Sequence, residues 1–337
     1  MPDLCVIPGD GIGLEVVPAA LQILEAVIPD LNTVTAEAGW ECFQKHGVSV
    51  PPETLETIRN CGAALFGAVS SPAKKVEGYR SAILLLRQSL NLYANIRPVR
   101  SLPGISPRAD IDMIIVRENT EGMYAGLEIM QDGRATATRV ITRTASIRIA
   151  EMAISILKSQ ERKKITIVHK ANILPLTDGL FRDSVREVID RSTREGAQIT
   201  TDEILVDLAA FKMLSAPQQY DMIVTTNLFG DILSDAAAFW CGGMGLAPSL
   251  NLGNELALAE PVHGSAPDIA GKGIANPIAT ILSAALLARF AWQRKSSAMK
   301  IEQAVRSALI DLTENGTQAI PPDMTTRMIV NAVLAHL

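Results

Sequence analysis

The feature that most constrains the fold is the repeated alternation of short apolar runs with longer segments of helical spacing. Leu4 to Ile7 is such a run; it ends in the glycines of PGDGIG and is followed by the helical pattern LEVVPAALQILEAVI. The same strand pattern recurs at residues 63–66, in DMIIV before Arg117, in ITIVH before Lys170 and in MIVTT before Asn227, and residues 81–92 have helical spacing. Strands that alternate with helices favour an α/β fold with a largely parallel sheet, whose ligands collect beyond the carboxyl ends of the strands.

Length and charge narrow the classes of protein further. The chain has 337 residues, of which 48% are hydrophobic, which is enough for two domains of ordinary size. Its net charge of -5 gives no general attraction to nucleic acid or to anionic membranes. Neither a leader pattern nor an apolar stretch of membrane-spanning length is present, so we expect a cytoplasmic protein.

Cysteine and histidine spacing argues against a zinc site and against a disulfide framework. The four cysteines form no CxxC pair, and we interpret them as buried small hydrophobic residues. The histidines lack the HExxH and i, i+4 spacing of zinc ligands. The residues concerned are Cys5, Cys42, Cys61 and Cys241, with His46, His169, His263 and His336. Any bound metal is therefore expected to be held by carboxylates.

The glycines of GDGIG have the spacing GxGxG, and the sixth-position glycine of a dinucleotide fingerprint is absent. Gly9, Gly11 and Gly13 fit equally well with a tight strand-to-helix turn that needs positive φ angles. We do not infer a Rossmann fold from them.

Three arginines lie at the edges of apolar elements: Arg87 in LLLRQSL, Arg97 in ANIRPV and Arg117 in IVREN. The planar guanidinium donates two parallel hydrogen bonds to a carboxylate and keeps its charge at any working pH. A small di- or tricarboxylate would satisfy them. For each arginine taken singly, a surface ion pair is the alternative.

The segment TTNLFGDILSDAAA places Asp231 and Asp235 four residues apart, which predicts two carboxylates on one face at the start of a helix. Such like charges repel unless a cation lies between them, and their hard oxygen ligands suit Mg²⁺ or Mn²⁺. The alternative is that acidic residues favour the first turn of a helix because of its dipole.

Lys170 follows the strand pattern ITIVH, and Tyr124 lies in the loop predicted after Arg117. Beside a metal and other cations, a lysine with a lowered pKa acts as a base, and a tyrosine is a suitable partner acid. Neither residue alone carries a functional claim.

Taken in order, the motifs GDGIG, LRQSLNLYANIRP, VRENTEGMY, HKANIL, NLFGDILSD and EPVHGSAPDIAGKGIANP strongly resemble those of the β-decarboxylating dehydrogenases. This family comprises isopropylmalate, isocitrate and homoisocitrate dehydrogenases, and the resemblance extends over nearly the whole chain. It implies a two-domain, isopropylmalate dehydrogenase-like fold rather than a Rossmann fold. Residues 1–92 and 242–337 would form a large domain that binds the adenosine of NAD. Residues 93–241 would form a small domain with the dimer interface and the metal ligands, including an arm near residues 126–146.

Carried over residue by residue, the resemblance implies that Arg87, Arg97 and Arg117 bind the carboxylates of a malate moiety. Asp231 and Asp235, joined by Asp207 in EILVDLAAF, would hold Mg²⁺ or Mn²⁺. Lys170 would remove the hydroxyl proton, and Tyr124 would protonate the enol that decarboxylation leaves. Because members of the family lend this lysine and one aspartate to the partner subunit, the resemblance implies a homodimer with shared active sites, or a tetramer.

The resemblance also implies an NAD site distinct from a Rossmann site. The carboxylate of Asp268 would accept hydrogen bonds from the ribose hydroxyls and repel a 2′-phosphate, which favours NAD over NADP. The expected cofactor contacts are Ile12, Asn172, His263, Gly264, Ser265, Ala266, Asp268, Ile269 and Asn276.

Family members differ in the group attached to the malate carbon, which SSPAKKVEGYRSAILLLR should recognise. KVEGYRSAI is most similar to homoisocitrate dehydrogenases, in which Arg80, Ser71 or Ser81 would meet a distal carboxylate. Leu84 instead suits the isopropyl group of 3-isopropylmalate. Homoisocitrate is therefore the preferred substrate, with 3-isopropylmalate and isocitrate as alternatives. A regulatory, dicarboxylate-binding subunit without activity is the non-enzymatic alternative, which the retained catalytic residues disfavour.

Overall fold

The computed structural model describes residues 1–72, 74, 76–313, 320–321 and 323–337. Lys75 of the KVEGY motif lies outside the described residues. The chain divides into two compact units: unit 1 comprises Met1–Leu92, Ser101–Ala109 and Ala238–Leu337, and unit 2 comprises Tyr93–Arg100 and Asp110–Ala237. Residues 101–109 and 238–241 thus belong to unit 1, whereas the sequence-based division assigned them to the middle domain.

The elements follow one another in frequent strand-helix alternation. The strands are β1 Asp3–Gly9, β2 Asn32–Thr35, β3 Ala63–Ala68, β4 Ala94–Arg100, β5 Asp112–Glu118, β6 Gly122–Gln131, β7 Arg134–Val140, β8 Lys164–His169, β9 Thr200–Leu205, β10 Met222–Thr225, β11 Pro248–Leu252 and β12 Ala257–Pro261. The helices are α1 Gly13–Val27, α2 Trp40–His46, α3 Pro52–Cys61, α4 Ala82–Ser89, α5 Arg143–Ser159, α6 Thr177–Arg194, α7 Val206–Ser215, α8 Asn227–Ala237, α9 Ile278–Leu286, α10 Lys295–Leu312 and α11 Thr326–Leu334.

In unit 1 the strands lie in the order β2-β1-β3-β12-β11, and all neighbours are parallel except β11 and β12. Val6 of β1 lies between Thr35 of β2 and Leu65 of β3. All six residues of β3 are buried, as expected for a central parallel strand covered on both faces. The apolar run of residues 63–66 is therefore confirmed as a strand.

In unit 2 the order is β4-β5-β10-β8-β9, parallel except between β4 and β5. Val224 of β10 pairs with Val116 of β5 and Ile167 of β8, and all three side chains are buried. The α/β class and the predominance of parallel strands are confirmed. Because parallel strands end at one edge, the residues that follow β5, β8 and β10 are brought to that edge.

Strands β6 and β7 form a separate two-stranded hairpin, with Ile129 opposite Thr136. Much of it is exposed, including Ile129 and Met130. No helix among the described residues combines the length and the apolar character that crossing a membrane requires.

Candidate active site

The centre of the site in unit 2 is a cluster of two arginines and two aspartates. Arg97 comes from β4 and Arg117 from the end of β5, while Asp231 and Asp235 project from α8. Arg117 is 1% exposed, and the ring of Tyr124 lies 5.2 Å from its guanidinium carbon. Gly230 allows α8 to pack closely against Arg117, because a Cβ at this position would stand 2.6 Å from Arg117 Cγ.

Each arginine is held by amide or hydroxyl oxygens as well as by carboxylate. Arg117 donates from Nε and Nη2 to Asn227 Oδ1, at 3.0 and 2.7 Å, and from Nη1 to Asp231 Oδ1. Arg97 Nη1 donates to Asp235 Oδ1 at 2.5 Å, and Arg97 Nη2 lies 3.6 Å from Asp231 Oδ1. The cation expected between the two carboxylates is thus a guanidinium in this structure. The surface ion-pair alternative does not fit these two arginines, whose side chains are at most 9% exposed.

Two local expectations about these residues are wrong. Helix α8 begins at Asn227, so Asp231 lies beyond its first turn and the helix dipole does not explain the pair. Tyr124 lies on β6 rather than in a loop. Its hydroxyl donates to Asp231 Oδ2, which places a phenol proton directly on one of the expected metal ligands.

Lys170 and Asp207 form a second pair in unit 2. Lys170 follows β8, Asp207 lies in the first turn of α7, and Lys170 Nζ is 2.5 Å from Asp207 Oδ1. The hydrogen bond from Lys170 holds the pKa of the exposed Asp207 carboxyl below its usual range. Asn172, two residues after Lys170, is exposed.

The three expected metal ligands do not gather in one chain. Among the described residues, the only three ligand groups whose atoms lie within 4.8 Å of one another belong to Glu37, Cys42 and His46 in unit 1. Sequence spacing missed this trio, although Cys42 and His46 are four apart on α2. Lys45 Nζ lies 3.0 Å from Glu37 Oε1 and neutralises that carboxylate, so we do not assign a metal there.

In unit 1, Arg87 of α4 is buried and pairs with Glu260 of β12: Arg87 Nη2 donates to Glu260 Oε1 at 2.7 Å. Asn251 donates to the same oxygen at 2.7 Å. Arg87 Nε is buried and lacks a hydrogen-bond partner among the described residues. A buried donor without an acceptor is costly, so this N–H fits an arginine that binds an anionic ligand.

The expected specificity residues lie at the start of α4. Ile83 and Leu85 pack on the core, whereas Leu84 is half-buried and does not belong to that cluster. The Ser81 hydroxyl does not cap the helix. Arg80 is exposed, donates to Gln88 Oε1 at 3.0 Å, and has no carboxylate within ion-pair distance among the described residues. Ser71 is also exposed.

The glycines of GDGIG serve a tight turn. Gly9 and Gly11 have φ values of 73° and 58°, and a Cβ on Gly13 would stand 2.0 Å from Pro8 O. The turn is fixed by Asp10, which is 1% exposed and accepts from the N–H groups of Trp40, Glu41 and Ser70. Asp10 escaped sequence reasoning because its partners lie 30 to 60 residues away in the chain.

The expected adenosine loop packs against this turn within unit 1. Ile12 donates its N–H to Ser265 O at 2.9 Å, and Ala266 and Ile269 pack on the buried Ile12 and Val16. Asn276 Oδ1 accepts from the N–H of Ile278 at the start of α9. Gly264 and Asp268 are exposed. The structure therefore brings Ile12 together with Ser265, Ala266 and Ile269 of this loop.

His263 has one ring nitrogen that accepts no hydrogen bond from the described residues. Its Nδ1 lies 3.0 Å from Gly264 O, which makes Nδ1 the protonated nitrogen, and burial lowers the pKa of the ring. Nε2 is buried and lacks a hydrogen-bond partner among the described residues. A neutral imidazole with an unused acceptor fits a loop that contacts a ligand carrying N–H or O–H donors, such as a dinucleotide.

Cys5, Cys42 and Cys241 are buried as expected, whereas Cys61 is only partly buried, and all four are thiols rather than disulfides. Burial raises the pKa of Cys5 to about 12, which leaves the thiol unreactive at neutral pH.

Comparison with known proteins gives consistent results over the whole chain. The family model described as isocitrate/isopropylmalate dehydrogenase matches residues 3–333. A Thermus thermophilus protein named isocitrate/homoisocitrate dehydrogenase is 49% identical, over 99% of this chain and 98% of its own length. The homoisocitrate dehydrogenase of Methanocaldococcus jannaschii is 42% identical over 100% and 98% of the two chains.

Among solved structures, the isocitrate dehydrogenase of Methylococcus capsulatus is 41% identical and superposes with a TM-score of 0.91. The match covers 100% of this chain and 99% of the other. Among sequence relatives, a 3-isopropylmalate dehydrogenase of Methanothermobacter thermautotrophicus is 47% identical over 91% of both chains.

Proposed function

Because this chain belongs to the isocitrate/isopropylmalate dehydrogenase family, we propose that it catalyses NAD-dependent oxidative decarboxylation of a malate-type 2-hydroxy acid. The preferred substrate is homoisocitrate and the product 2-oxoadipate, with Mg²⁺ or Mn²⁺ required. The observation that supports this most is the convergence of Arg97 from β4, Arg117 from β5, Tyr124 from β6 and two aspartates from α8.

The arginines bind the malate carboxylates. Arg97 and Arg117 already hold carboxylate oxygens of Asp231 and Asp235, which supports a role in binding such a ligand. Arg87 has a buried Nε donor that a substrate carboxylate would satisfy. When substrate binds, the arginines exchange some contacts with aspartate for contacts with the substrate.

The oxygen atoms of Asp231 and Asp235 fit a hard divalent cation, and their side chains are 29% and 44% exposed, so solvent and ligands reach them. When bound, Mg²⁺ or Mn²⁺ polarises the substrate oxygen that becomes the ketone. Asp207 would be the third carboxylate ligand.

Proton transfer is assigned to two residues. Lys170 Nζ would take the proton of the substrate hydroxyl, and NAD, when bound, would supply the oxidant that accepts the hydride from the hydroxyl-bearing carbon. The C–C bond to the β-carboxylate then breaks and releases CO₂. The Tyr124 hydroxyl delivers a proton to the carbon that has lost the carboxylate.

The loop at residues 263–269 would bind the adenosine of NAD. The unused His263 Nε2 acceptor supports a ligand there, and the exposed Asp268 carboxylate disfavours a 2′-phosphate.

We also propose a homodimer with shared active sites. Lys170 and Asp207 contact each other but form no ligand cluster with Asp231 and Asp235 among the described residues, which supports a site completed by a second copy. The apolar side chains Leu208, Phe211 and Leu214 on α7, next to Asp207, are 45%, 63% and 62% exposed. An apolar helix face of this kind is typical of an interface.

Homoisocitrate is favoured by Arg80, an exposed guanidinium without an ion-pair partner among the described residues, which suits a distal carboxylate. The relative of 49% identity, named for isocitrate and homoisocitrate, supports this choice. The half-buried Leu84 favours 3-isopropylmalate as the alternative.

The test compares kcat/KM for homoisocitrate, isocitrate and 3-isopropylmalate in wild type, Arg80→Gln and Arg59→Gln. Arg59 is the matched control, since it too is exposed in unit 1 and donates to an uncharged oxygen, Ser89 O. We expect homoisocitrate to be preferred, and Arg80→Gln alone to lower its kcat/KM by about tenfold or more. A preference for 3-isopropylmalate, or equal effects of both variants, would contradict the assignment.

A further inference from the structure

A fully buried carboxylate lies in unit 2 outside the groups assigned above. Asp178, in the first turn of α6, is 0% exposed, and its Oδ1 lies 2.6 Å from Arg139 Nη2. Arg139 comes from β7 of the hairpin, and its side chain is 12% exposed. The contact is an ion pair rather than an aligned hydrogen bond, because Oδ1 has no hydrogen bond among the described residues. Burial of a charged carboxylate requires such a counter-charge.

The other oxygen of Asp178 holds the backbone of Lys170. Asp178 Oδ2 accepts the N–H of Lys170 at 2.7 Å, at the point where the chain leaves β8. The side chain of the same lysine reaches Asp207 with its Nζ. The starting point of the lysine side chain is therefore fixed by a charge-assisted hydrogen bond that solvent cannot reach.

Arg139 also contacts the segment that carries the two aspartates of α8. Its Nη2 donates to Thr226 Oγ1 at 3.0 Å, and its guanidinium carbon lies 4.9 Å from the centre of the Phe229 ring. Thr226 immediately precedes α8, and Phe229 lies in its first turn. One guanidinium from the hairpin thus contacts both the start of α8 and the carboxylate that holds Lys170.

We propose that Asp178 and Arg139 are positioning residues: the buried ion pair orients Asp178 so that it fixes the backbone of Lys170. Neither residue contacts substrate or cofactor in this role. The claim that Asp178 fixes the backbone of Lys170 is argued from the contacts alone. The claim that this affects turnover rests on the proposed function. Displacement of a catalytic group by about 1 Å costs on the order of 100-fold in rate.

If the ion pair were merely structural, two variants that both remove it would have the same Lys170 amide exchange rate and the same kcat. Replacing both members of a buried ion pair by well-packed hydrophobic residues often preserves stability, whereas removing one member leaves an uncompensated buried charge. The double variants Arg139→Met/Asp178→Asn and Arg139→Met/Asp178→Leu both remove the pair and leave no unpaired charge. The two double variants differ only in the acceptor at position 178. Asn keeps an oxygen that can accept the Lys170 N–H, whereas Leu has a similar branched shape but no acceptor.

Hydrogen–deuterium exchange resolved at the Lys170 amide is measured first. A charge-assisted hydrogen bond implies that this amide exchanges slowly in wild type, like the amides of β8. We expect exchange about 10- to 100-fold faster in the Leu double variant than in the Asn double variant. Rapid exchange in the wild-type protein overturns the proposal without any variant, and so remains informative if the Leu variant does not fold.

Steady-state kinetics supply the second readout. We expect kcat of the Leu double variant to fall about 10- to 100-fold below that of the Asn double variant, with the KM for NAD unchanged. Equal exchange rates and equal kcat in the two variants would overturn the proposal. If the wild type turns over none of the three substrates but exchange is still faster in the Leu variant, the positioning role is supported and only the proposed function is overturned.

Discussion

Replacing Glu260 by Gln should destabilise the protein by about 3 kcal/mol, at the lower end of the range for breaking a buried ion pair. The side chains of Arg87 and Glu260 are 9% and 10% exposed, and Nη2 lies 2.7 Å from Oε1. Glutamine keeps the shape and an acceptor oxygen but leaves the buried guanidinium without a counter-charge. The size of the effect therefore reports the uncompensated charge rather than a cavity.

The matched control is Glu151→Gln. Glu151 also pairs with an arginine at 2.7 Å, Arg191, but the two side chains are 51% and 46% exposed. Water screens such a pair, which is worth about 0–1 kcal/mol. The free energy of unfolding is measured by urea denaturation at pH 7 for the wild type and both variants.

Substrate should partly rescue the Glu260 variant. If Arg87 binds a substrate carboxylate, the ligand supplies the missing counter-charge, and saturating substrate should stabilise Glu260→Gln more than wild type. A loss of stability below about 1 kcal/mol, equal to that of the exposed control, would refute the reasoning about the buried charge.

Three further predictions concern the assembly, acid stability and the cofactor. Lys170→Met and Asp231→Asn should each be inactive, but a refolded equimolar mixture should recover about one quarter of wild-type activity if sites are shared, and none if each subunit works alone. Burial alone would raise the pKa of Asp221, but hydrogen bonds from two backbone N–H groups and an arginine outweigh it and lower the pKa overall. Asp221→Asn should therefore lower the free energy of unfolding by about 1.5–3 kcal/mol at pH 7. In urea titrations, this difference from wild type should vanish as the pH falls through the folded-state pKa of Asp221. A difference that does not depend on pH would contradict this. Asp268→Lys combined with Ile269→Tyr should shift the ratio of kcat/KM for NAD over NADP toward NADP, and an unchanged ratio would remove Asp268 from cofactor selection.

Much of the fold could be predicted from the sequence because buried parallel strands are continuous apolar runs. DMIIV, ITIVH and MIVTT correspond to β5, β8 and β10, whose central residues are buried. By contrast, β9 has the sequence TTDEIL, is mostly exposed, and has no apolar run that marks it as a strand. The hairpin strands were missed for the same reason, which is why Tyr124 was expected in a loop.

The site was predictable where one residue type determines the chemistry, as for the arginines and aspartates. It was not predictable where the role depends on a distant partner. Asp178 looks like an ordinary acidic residue in the first turn of a helix, and only the fold brings Arg139 to it from 39 positions earlier in the chain. Glu260 and Arg87, 173 residues apart, are a similar case.

The central claim, oxidation coupled to decarboxylation, is tested most directly by the stoichiometry of products. Wild-type protein is incubated with homoisocitrate, NAD and Mg²⁺, and NADH and CO₂ are measured together, with and without EDTA. The account predicts one NADH and one CO₂ for each substrate consumed, and neither product when the metal is chelated. NADH formed without CO₂, or undiminished turnover in EDTA, would contradict it.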